Sequence, residues 1–158
     1  MTSTLADPMT STDRIEKKVL LRAPVARVWQ ALTDSKQFSE WFRIRIDEPF
    51  AAGKTVTMTA TKAGAEGIKI DMVIDRIEPQ RYFSYRWHPY AMDPKVDYTK
   101  EPMTLVEFTL EPAEGGTQLT IVESGFDRIP ASRRAEAFRM NDGGWTVQSQ
   151  RIAEYVQK

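Results

Sequence analysis

The sequence predicts an α+β fold in which a curved antiparallel sheet of six to seven strands wraps around one long C-terminal helix. Three observations predict it: a first strand is followed by two short helices, a period of two begins near Gly53, and an amphipathic segment begins near Ala131. Period-two alternation is typical of half-buried strands, and apolar residues at helical spacing are typical of a helix packed on a sheet. A single helix over a curved sheet leaves space for a pocket between them.

Length and composition restrict the class of protein. The 158 residues suffice for one domain with one core. Because 22 Lys and Arg residues balance 22 Asp and Glu residues, no nucleic-acid or anionic membrane partner is expected. The sequence contains no cysteine, which excludes disulfides, iron–sulfur clusters, cysteine-based zinc sites and thiol nucleophiles.

Two features bear on location. No apolar run approaches the ~18 residues needed to span a bilayer. The first residues also lack the basic start and apolar middle of a signal peptide. We therefore expect a cytoplasmic protein with no membrane span.

The chain begins with a tail and then a strand. Residues 1–13 are rich in Ser, Thr, Asp and Pro without periodicity, so we expect a disordered tail. Residues 14–158 are expected to form one domain, because no repeat, low-complexity block or linker interrupts them. Its first strand is predicted from Arg14 to Arg22, where β-branched and apolar residues stand among charges.

Two short amphipathic helices follow this strand. Pro24 suits the first turn of a helix, and residues 33–35 (TDS) supply capping oxygens for the second one. The apolar positions with helical spacing are Val25, Val28, Trp29 and Leu32 in the first helix and Phe38, Trp41 and Phe42 in the second. The aromatic end of the second helix is expected to be buried or to cover another part of the molecule.

The central part of the chain alternates with a period of two. Turn signals separate the alternating segments at residues 63–67 and 114–116. The inward positions are Val56, Met58, Ala60, Ile68, Ile70, Met72, Ile74, Phe83, Tyr85, Trp87, Val106, Phe108, Leu110, Leu119 and Ile121. One-sided burial in each strand predicts an antiparallel sheet with a solvated outer face.

A long segment between Trp87 and Met103 contains three prolines and has no sustained period. Loops longer than about 12 to 15 residues inside a compact domain are usually functional or disordered. Two interpretations stay open: a variable surface loop, or a lid or partner-binding loop.

The final segment, from Ala131 to Lys158, predicts a long helix with an aromatic face turned inward. The inward stripe consists of Phe138, Asn141, Trp145, Gln148, Ile152 and Tyr155. Two glycines, Gly143 and Gly144, lie within this helix, where each costs roughly 0.5 to 1 kcal/mol relative to alanine. This cost suggests either a close approach of the helix backbone to the sheet or a bend.

Several kinds of chemistry are not indicated. The only histidine, His88, is in phase with the outward positions Tyr82, Ser84 and Arg86, so an exposed or structural role is favoured over a catalytic one. Metal sites often use histidine and Ser-His-Asp triads require it, and no metal is predicted. Nucleophile-elbow, P-loop and dinucleotide-binding motifs are missing from the sequence, so no cofactor is predicted.

Glu123 is the polar residue of greatest interest. Counting by twos from Ile121 places it on the inward face, where loss of hydration raises the pKa of a carboxyl group. It is a weak candidate for a general acid or base, and a candidate ligand anchor. Alternatively, a bulge turns it outward, or it pairs with a neighbouring cation. The buried amides of Asn141 and Gln148 need partners, which could be a ligand, sheet side chains or ordered water.

The aromatic and methionine side chains between sheet and helix are either plain core or the walls of a pocket. Small-molecule sites are usually apolar clefts with a few convergent polar groups. The candidate ligand-binding residues are Trp41, Phe42, Met58, Ile70, Met72, Phe83, Tyr85, Trp87, Phe108, Glu123, Phe138, Asn141 and Trp145.

Several segments in order resemble the START-like, helix-grip superfamily, also called SRPBCC. These are residues 23–34 (APVARVWQALTD), 41–42 (WF), 50–53 (FAAG), 106–112 (VEFTLEP), 123–126 (ESGF) and 142–145 (DGGW). Within the superfamily the chain is similar to the branch named after the C-terminal domain of the activator of the Hsp90 ATPase. The similarity covers residues 14–158.

The resemblance implies a β-α-α-β6-α fold with a cavity that, in relatives, takes lipids, hormones, polyketides or other hydrophobic molecules. In some members the position of Glu123 carries histidine. The function expected is binding of a small hydrophobic or amphipathic molecule. Two alternatives are a co-chaperone-type module that contacts a chaperone or another protein, and a cyclase or hydrolase in which Glu123 moves protons while Tyr85 or Asn141 holds an oxygen. A non-enzymatic role is favoured.

Overall fold

A computed structural model describes residues 12–157 of the chain. The predicted tail, residues 1–13, lies mostly outside the described residues. At its end, the backbone oxygen of Asp13 accepts hydrogen bonds from the N–H groups of Gly125 and Phe126, at 3.1 and 3.2 Å. The start of the described chain is therefore fixed to the segment that follows the last strand.

The elements follow the predicted order. They are β1 (Arg14–Leu21), α1 (Val25–Thr33), α2 (Ser35–Phe42), β2 (Ile44–Ile46), β3 (Thr55–Ala60), β4 (Lys69–Glu78), β5 (Tyr82–Trp87), β6 (Thr104–Ala113), β7 (Gly116–Ser124) and α3 (Ala131–Val156). A short 3-10 turn, Phe126–Arg128, precedes α3.

The strands in residues 12–157 form one seven-stranded antiparallel sheet in the order β1-β7-β6-β5-β4-β3-β2. This confirms the predicted α+β architecture, a curved sheet with two short helices after the first strand and a long C-terminal helix. The sequence did not predict β2, because its three residues are too few to establish alternation. It pairs Ile46 with Met58 of β3 and extends the sheet edge beside α2.

The connection from α1 to β2 positions one wall of the later cavity. Asp34 caps α2 with its side chain, which accepts hydrogen bonds from the backbone N–H groups of Lys36 and Gln37. Arg43 ends α2 in the left-handed region, with φ of 64°, and its N–H group donates to the oxygen of Ser39. The chain therefore turns sharply after Phe42 and continues into β2.

The core lies between the concave face of the sheet and the three helices. Stacked and edge-on rings fill its deepest part: Phe83 and Phe108 stack at 6.0 Å, and Tyr85 lies 6.4 Å from Phe38 of α2. The indole N–H of Trp41 donates to the backbone oxygen of Ala31 at 2.7 Å, which locks α2 against α1. Large rings thus occupy the middle of the sheet, and any open space lies toward one end.

The glycines of α3 correct one expectation. The helix continues through Gly143 and Gly144, and both residues are exposed. No described atom outside the local helix backbone lies within 4 Å of a Cβ added at either position. The expected close approach of this backbone to the sheet is therefore wrong.

Candidate ligand-binding site

A cavity of about 640 Å³ lies between the middle of α3, the end of α2, strands β3 and β4, and the start of the segment after β5. Six of the residues proposed from the sequence line it: Phe42, Met58, Ile70, Trp87, Asn141 and Trp145. Its wall also includes Gly144 and the exposed side chain of Val147, so the cavity opens beside α3. The walls are mainly apolar, and polar groups stand at the floor and the mouth.

The other proposed residues do not line this cavity. Phe138 lies further toward the start of α3 and packs edge-on against Phe126, with ring centroids 5.1 Å apart. Glu123 is fully buried behind the cavity floor. The remaining ones are packed in the core: Trp41, Met72, Phe83, Tyr85 and Phe108.

Glu123 holds the cavity floor together. Its Oε2 accepts hydrogen bonds from the indole N–H of Trp87 at 2.7 Å and from the hydroxyl of Thr104 at 2.6 Å. Its Oε1 accepts from the indole N–H of Trp145 at 2.8 Å and from the amide of Asn141 at 2.9 Å. Strands β5 and β6 and helix α3 thus meet at one carboxyl group on β7.

The position of Glu123 resolves the alternatives for its direction. β7 keeps its register through this residue, which lies opposite Val106 on β6 and Ile15 on β1. Glu123 therefore faces inward, as the alternation predicts, and no bulge turns it outward. Its hydrogen-bond partners are neutral donors, and no ion pair among residues 12–157 includes it.

Burial and hydrogen bonding act in opposite directions on Glu123. Burial is the larger effect and raises the pKa of its carboxyl group above the ordinary value, whereas the donated hydrogen bonds of Thr104, Trp87, Trp145 and Asn141 lower it. Indole and amide N–H groups do not release protons at neutral pH. The indole and amide N–H groups that face Glu123 donate to its oxygens and cannot take up a proton from it, so the arrangement is suited to holding the carboxyl group in place.

Tyr85 lies fully buried beneath the same floor. Its hydroxyl has no hydrogen-bond partner among the described residues. Burial, and then the negative charge of Glu123, raises the pKa of Tyr85 well above its usual value. The phenol therefore stays protonated at neutral pH.

His88 departs from the exposed position that the alternation indicated. It is only 9% exposed, and it lines the cavity. The reason is that β5 ends at Trp87, so the alternation stops one residue before the histidine. Burial lowers the pKa of His88 as the largest effect, and its Nδ1 has no partner in the described part of the chain. The imidazole is therefore neutral at pH 7.

Arg133 of α3 contacts the segment from His88 to Met103 at three points. The guanidinium of Arg133 contacts the carboxylate of Glu101 at 2.7 Å and donates to the backbone oxygen of Pro89 at 2.9 Å. It also lies 4.7 Å from the ring centroid of Tyr98. Because Tyr90 and Met92 of the same segment line the cavity, the segment forms one of its sides.

Three cationic residues at the cavity mouth were not identified from the sequence. Arg43 ends α2, Lys62 follows β3, and Arg151 lies on α3. Arg151 continues the helical spacing of Gly144 and Gln148, which also line the cavity, so the helix pattern could have located it. Arg43 and Lys62 lie in turns, where periodicity gives no signal.

Residues 12–157 contain neither a cluster of metal-binding side chains nor a helix suited to crossing a membrane. No cluster of three or more His, Cys, Asp or Glu side chains in this range could bind a metal ion. None of the helices in the same range combines the length and the apolar character that crossing a membrane requires.

Comparison with solved structures supports the fold. Protein MLL2253 from Mesorhizobium loti shares 26% identity, with 91% of this chain and 96% of that chain covered and a TM-score of 0.73. DynU16, a protein from the dynemicin biosynthetic locus, shares 27% identity over 92% of this chain and 48% of its own, with a TM-score of 0.70. The Aha1 dimer from Colwellia psychrerythraea is 17% identical, with a TM-score of 0.63, and shows the fold alone. No curated protein matches the chain.

Family membership follows from a match that covers most of the chain. The protein-family model described as Activator of Hsp90 ATPase homolog 1-like protein matches residues 22–157 of the chain. This range contains both short helices, the strands from β2 to β7 and the complete α3. The resemblance inferred from the sequence segments is therefore confirmed, and the chain belongs to the Activator of Hsp90 ATPase homolog 1-like family.

Proposed function

We propose that this protein binds a small hydrophobic or amphipathic molecule in the cavity between α3 and the sheet. The observation that carries the proposal is the cavity of about 640 Å³ with walls that include Met58, Ile70, Trp87 and Trp145. Ligand sites typically measure about 300 to 1,000 Å³ and are lined mainly by apolar and aromatic side chains.

The cavity floor supports the proposal because its aromatic walls are already fixed. Trp87 and Trp145 lie with ring centroids 6.0 Å apart, and each donates its indole N–H to Glu123. Side chains that are held in place lose little conformational entropy when a ligand binds. Glu123 therefore acts in this proposal as a positioning residue that holds both tryptophans.

Gly144 supports the proposal from the other side of the cavity. It lines the cavity, and a Cβ at this position would meet no described atom outside the local helix within 4 Å. A side chain would therefore project into open space beside the cavity. Gly144 therefore leaves this edge of the cavity open, and a large side chain at the position would stand beside the opening.

A fluorescent dye provides the test. Phenylnaphthylamine is neutral and fluoresces on entering apolar sites. We expect saturable binding to the wild type and at least a tenfold loss of affinity, or about 1.4 kcal/mol, in Gly144→Leu. Gly143→Leu is the matched control, because Gly143 is exposed on the same helix and does not line the cavity. Failure of the dye to saturate, or an equal effect of both substitutions, would contradict the proposal.

Native mass spectrometry of gently purified protein provides a second test that needs no chosen probe. A co-purified small molecule retained by the wild type and by Gly143→Leu, and lost from Gly144→Leu, is the result expected. Retention by Gly144→Leu at the wild-type level would place the molecule elsewhere on the protein.

A co-chaperone role is the second candidate, and the family description favours it. Under this proposal the protein contacts an Hsp90-type chaperone and raises its ATPase rate. The measurement is the ATPase rate of the purified chaperone with increasing amounts of the protein. A stimulation that Gly144→Leu leaves unchanged would separate this role from ligand binding, and no stimulation would count against it.

The cyclase or hydrolase alternative receives no support from the geometry. It requires Glu123 to reach a proton of the substrate, and Glu123 is fully buried and does not line the cavity. Both of its carboxylate oxygens already accept hydrogen bonds, from the side chains of Trp87, Thr104, Asn141 and Trp145. A substrate would first have to displace these donors.

A further inference from the structure

The mouth of the cavity brings together positive charges from three separate elements. Arg43, Lys62 and Arg151 all line it. Two hydrogen bonds near the mouth fix the elements that carry them. The hydroxyl of Thr61 donates to the backbone oxygen of Arg43 at 3.1 Å, and the amide of Gln148 donates to the backbone oxygen of Phe42 at 3.1 Å. The end of α2, the end of β3 and the middle of α3 are therefore held close together.

These charges are not neutralised within the described part of the chain. None of the ion pairs formed by residues 12–157 includes Arg43, Lys62 or Arg151. The charge of Arg43 also acts on Arg151: burial first, and then the positive charge of Arg43, lowers the pKa of Arg151. Since the whole chain has a formal net charge of zero, the mouth is a local excess of positive charge.

The interior of the cavity has the opposite character. Met58, Ile70 and the two floor tryptophans present apolar surface, and the carboxyl group of Glu123 lies behind them, with both oxygens already accepting hydrogen bonds. A molecule with an apolar body and an anionic group would therefore place the apolar body inside and the anionic group at the mouth. The reverse orientation would bring the anion toward Glu123 and away from the cations.

We propose, on the basis of the binding function proposed above, that the ligand is an amphipathic organic anion. Its carboxylate, sulfonate or phosphate group contacts Arg43 and Arg151, and Lys62 adds a further positive charge. Guanidinium groups bind such anions through paired, charge-assisted hydrogen bonds, which are stronger and more directional than those of neutral donors. The apolar body occupies the cavity against Trp87 and Trp145.

A pair of dyes with nearly the same ring system tests the charge requirement. Anilinonaphthalene sulfonate carries a sulfonate group, and phenylnaphthylamine lacks it. In the double variant Arg43→Gln/Arg151→Gln, we expect the affinity for the sulfonate dye to fall about tenfold or more, equivalent to about 1.4 kcal/mol. The affinity for the neutral dye is expected to stay within about twofold. Added salt is expected to weaken the binding of the sulfonate dye but not that of the neutral dye, because salt screens exposed charges.

Arg139→Gln is the matched control, because Arg139 is an exposed arginine of α3 that does not line the cavity. It is expected to change neither affinity. If the double variant does not fold, as judged by circular dichroism, the exposed Lys62→Gln provides the same comparison with a smaller expected effect. An equal response to Arg139→Gln would show that the sulfonate dye senses surface charge in general and would overturn the inference.

The remaining outcomes separate this inference from the binding function. Suppose that Gly144→Leu abolishes the binding of both dyes, but the double arginine variant leaves the ratio of their affinities unchanged. The cavity then binds the dyes, and the proposed preference for an anion is wrong. If neither dye binds the wild type in a saturable way, the binding function fails and the inference fails with it.

Discussion

Trp87 on β5 and Trp145 on α3 donate their indole N–H groups to opposite oxygens of the same buried carboxylate, that of Glu123. The two rings lie 6.0 Å apart and belong to residues far from each other in the sequence. This arrangement joins the long helix to the sheet through a buried carboxyl group behind the floor of the cavity. The stability of that junction and the shape of the cavity therefore depend on the same residue.

Replacing the carboxylate with an amide tests this junction. Glu123→Gln keeps the size of the side chain but replaces one acceptor oxygen with an NH2 group. This NH2 group faces the donors whose hydrogen bonds the lost oxygen had accepted. Each buried donor left without an acceptor costs about 1 to 3 kcal/mol. We expect a loss of about 2 kcal/mol or more in the free energy of unfolding at pH 7, measured by urea denaturation.

Glu107→Gln is the matched control for this substitution. Glu107 lies half-buried on the outer face of β6, and it accepts one hydrogen bond from the hydroxyl of Tyr82 at 2.6 Å. The amide can keep that bond through its remaining oxygen, so we expect a loss of less than about 1 kcal/mol. Equal losses in the free energy of unfolding for the two substitutions would show that the hydrogen bonds that four side chains donate to Glu123 stabilise the protein no more than the single bond to Glu107 does.

The pH dependence of the difference between wild type and Glu123→Gln has a definite sign. Burial raises the pKa of Glu123 in the folded state above its ordinary value of 4.5. The folded state then binds the proton more tightly than the unfolded state, so the wild type is most stable relative to the variant below pH 4.5. Its advantage decreases as the pH rises through the folded-state pKa.

Urea denaturation of both proteins at several pH values between about 4 and 7 measures this difference. Other titrating groups contribute equally to both proteins and cancel in the comparison. An advantage that grows with pH would mean that the four donors outweigh burial, and that the folded-state pKa lies below the ordinary value.

Much of the fold could be predicted because its signals are local. Alternation placed Glu123 on the inner face, and helical spacing placed Trp145 on the inner stripe of α3, and the structure shows both. The donors that meet Glu123 could not be predicted as a set, because Trp87, Thr104 and Asn141 lie on three different elements and sequence spacing does not record how elements pack. β2 was too short to show a period.

The cavity was harder to predict than the fold for the same reason. The interpretation of the inner rings as core or pocket depends on how far α3 lies from each strand, and a single sequence contains no such distance. The structure fills the middle of the sheet with Phe83, Tyr85 and Phe108 and leaves space near Gly144. The two glycines of α3 did not indicate this space, because the helical pattern alone does not show whether a glycine contacts the sheet or lies exposed, as Gly143 and Gly144 do.

The two glycines of α3 offer a direct test of that correction. Because a Cβ at either position meets no described atom outside the local helix within 4 Å, Gly143→Ala and Gly144→Ala should each stabilise the protein. The expected gain is roughly 0.5 to 1 kcal/mol per substitution, from the lower conformational entropy of the unfolded chain. Thermal denaturation measures it. A loss of stability in Gly144→Ala, with a gain in Gly143→Ala, would indicate a contact at Gly144 that the structure does not show.

The final prediction concerns coupling between Glu123 and its two tryptophans. Trp87→Phe and Trp145→Phe each remove one indole N–H and keep an aromatic ring, so in the wild type each removes one hydrogen bond to the carboxylate. In the Glu123→Gln background, the oxygen that becomes NH2 no longer accepts a bond from its indole. Removing that indole N–H then costs little, because it relieves a donor that has already lost its acceptor.

The two double-mutant cycles should therefore differ. Trp87 and Trp145 bond to different oxygens, so only the tryptophan that faces the new NH2 group is expected to show a large coupling, on the order of 1 kcal/mol or more. The other tryptophan keeps its acceptor and is expected to show a coupling below about 0.5 kcal/mol. Denaturation of the single and double variants measures both values, and the larger one reveals the orientation of the amide. Couplings near zero in both cycles would mean that the indoles are held by ring packing, and that Glu123 does not position the cavity floor.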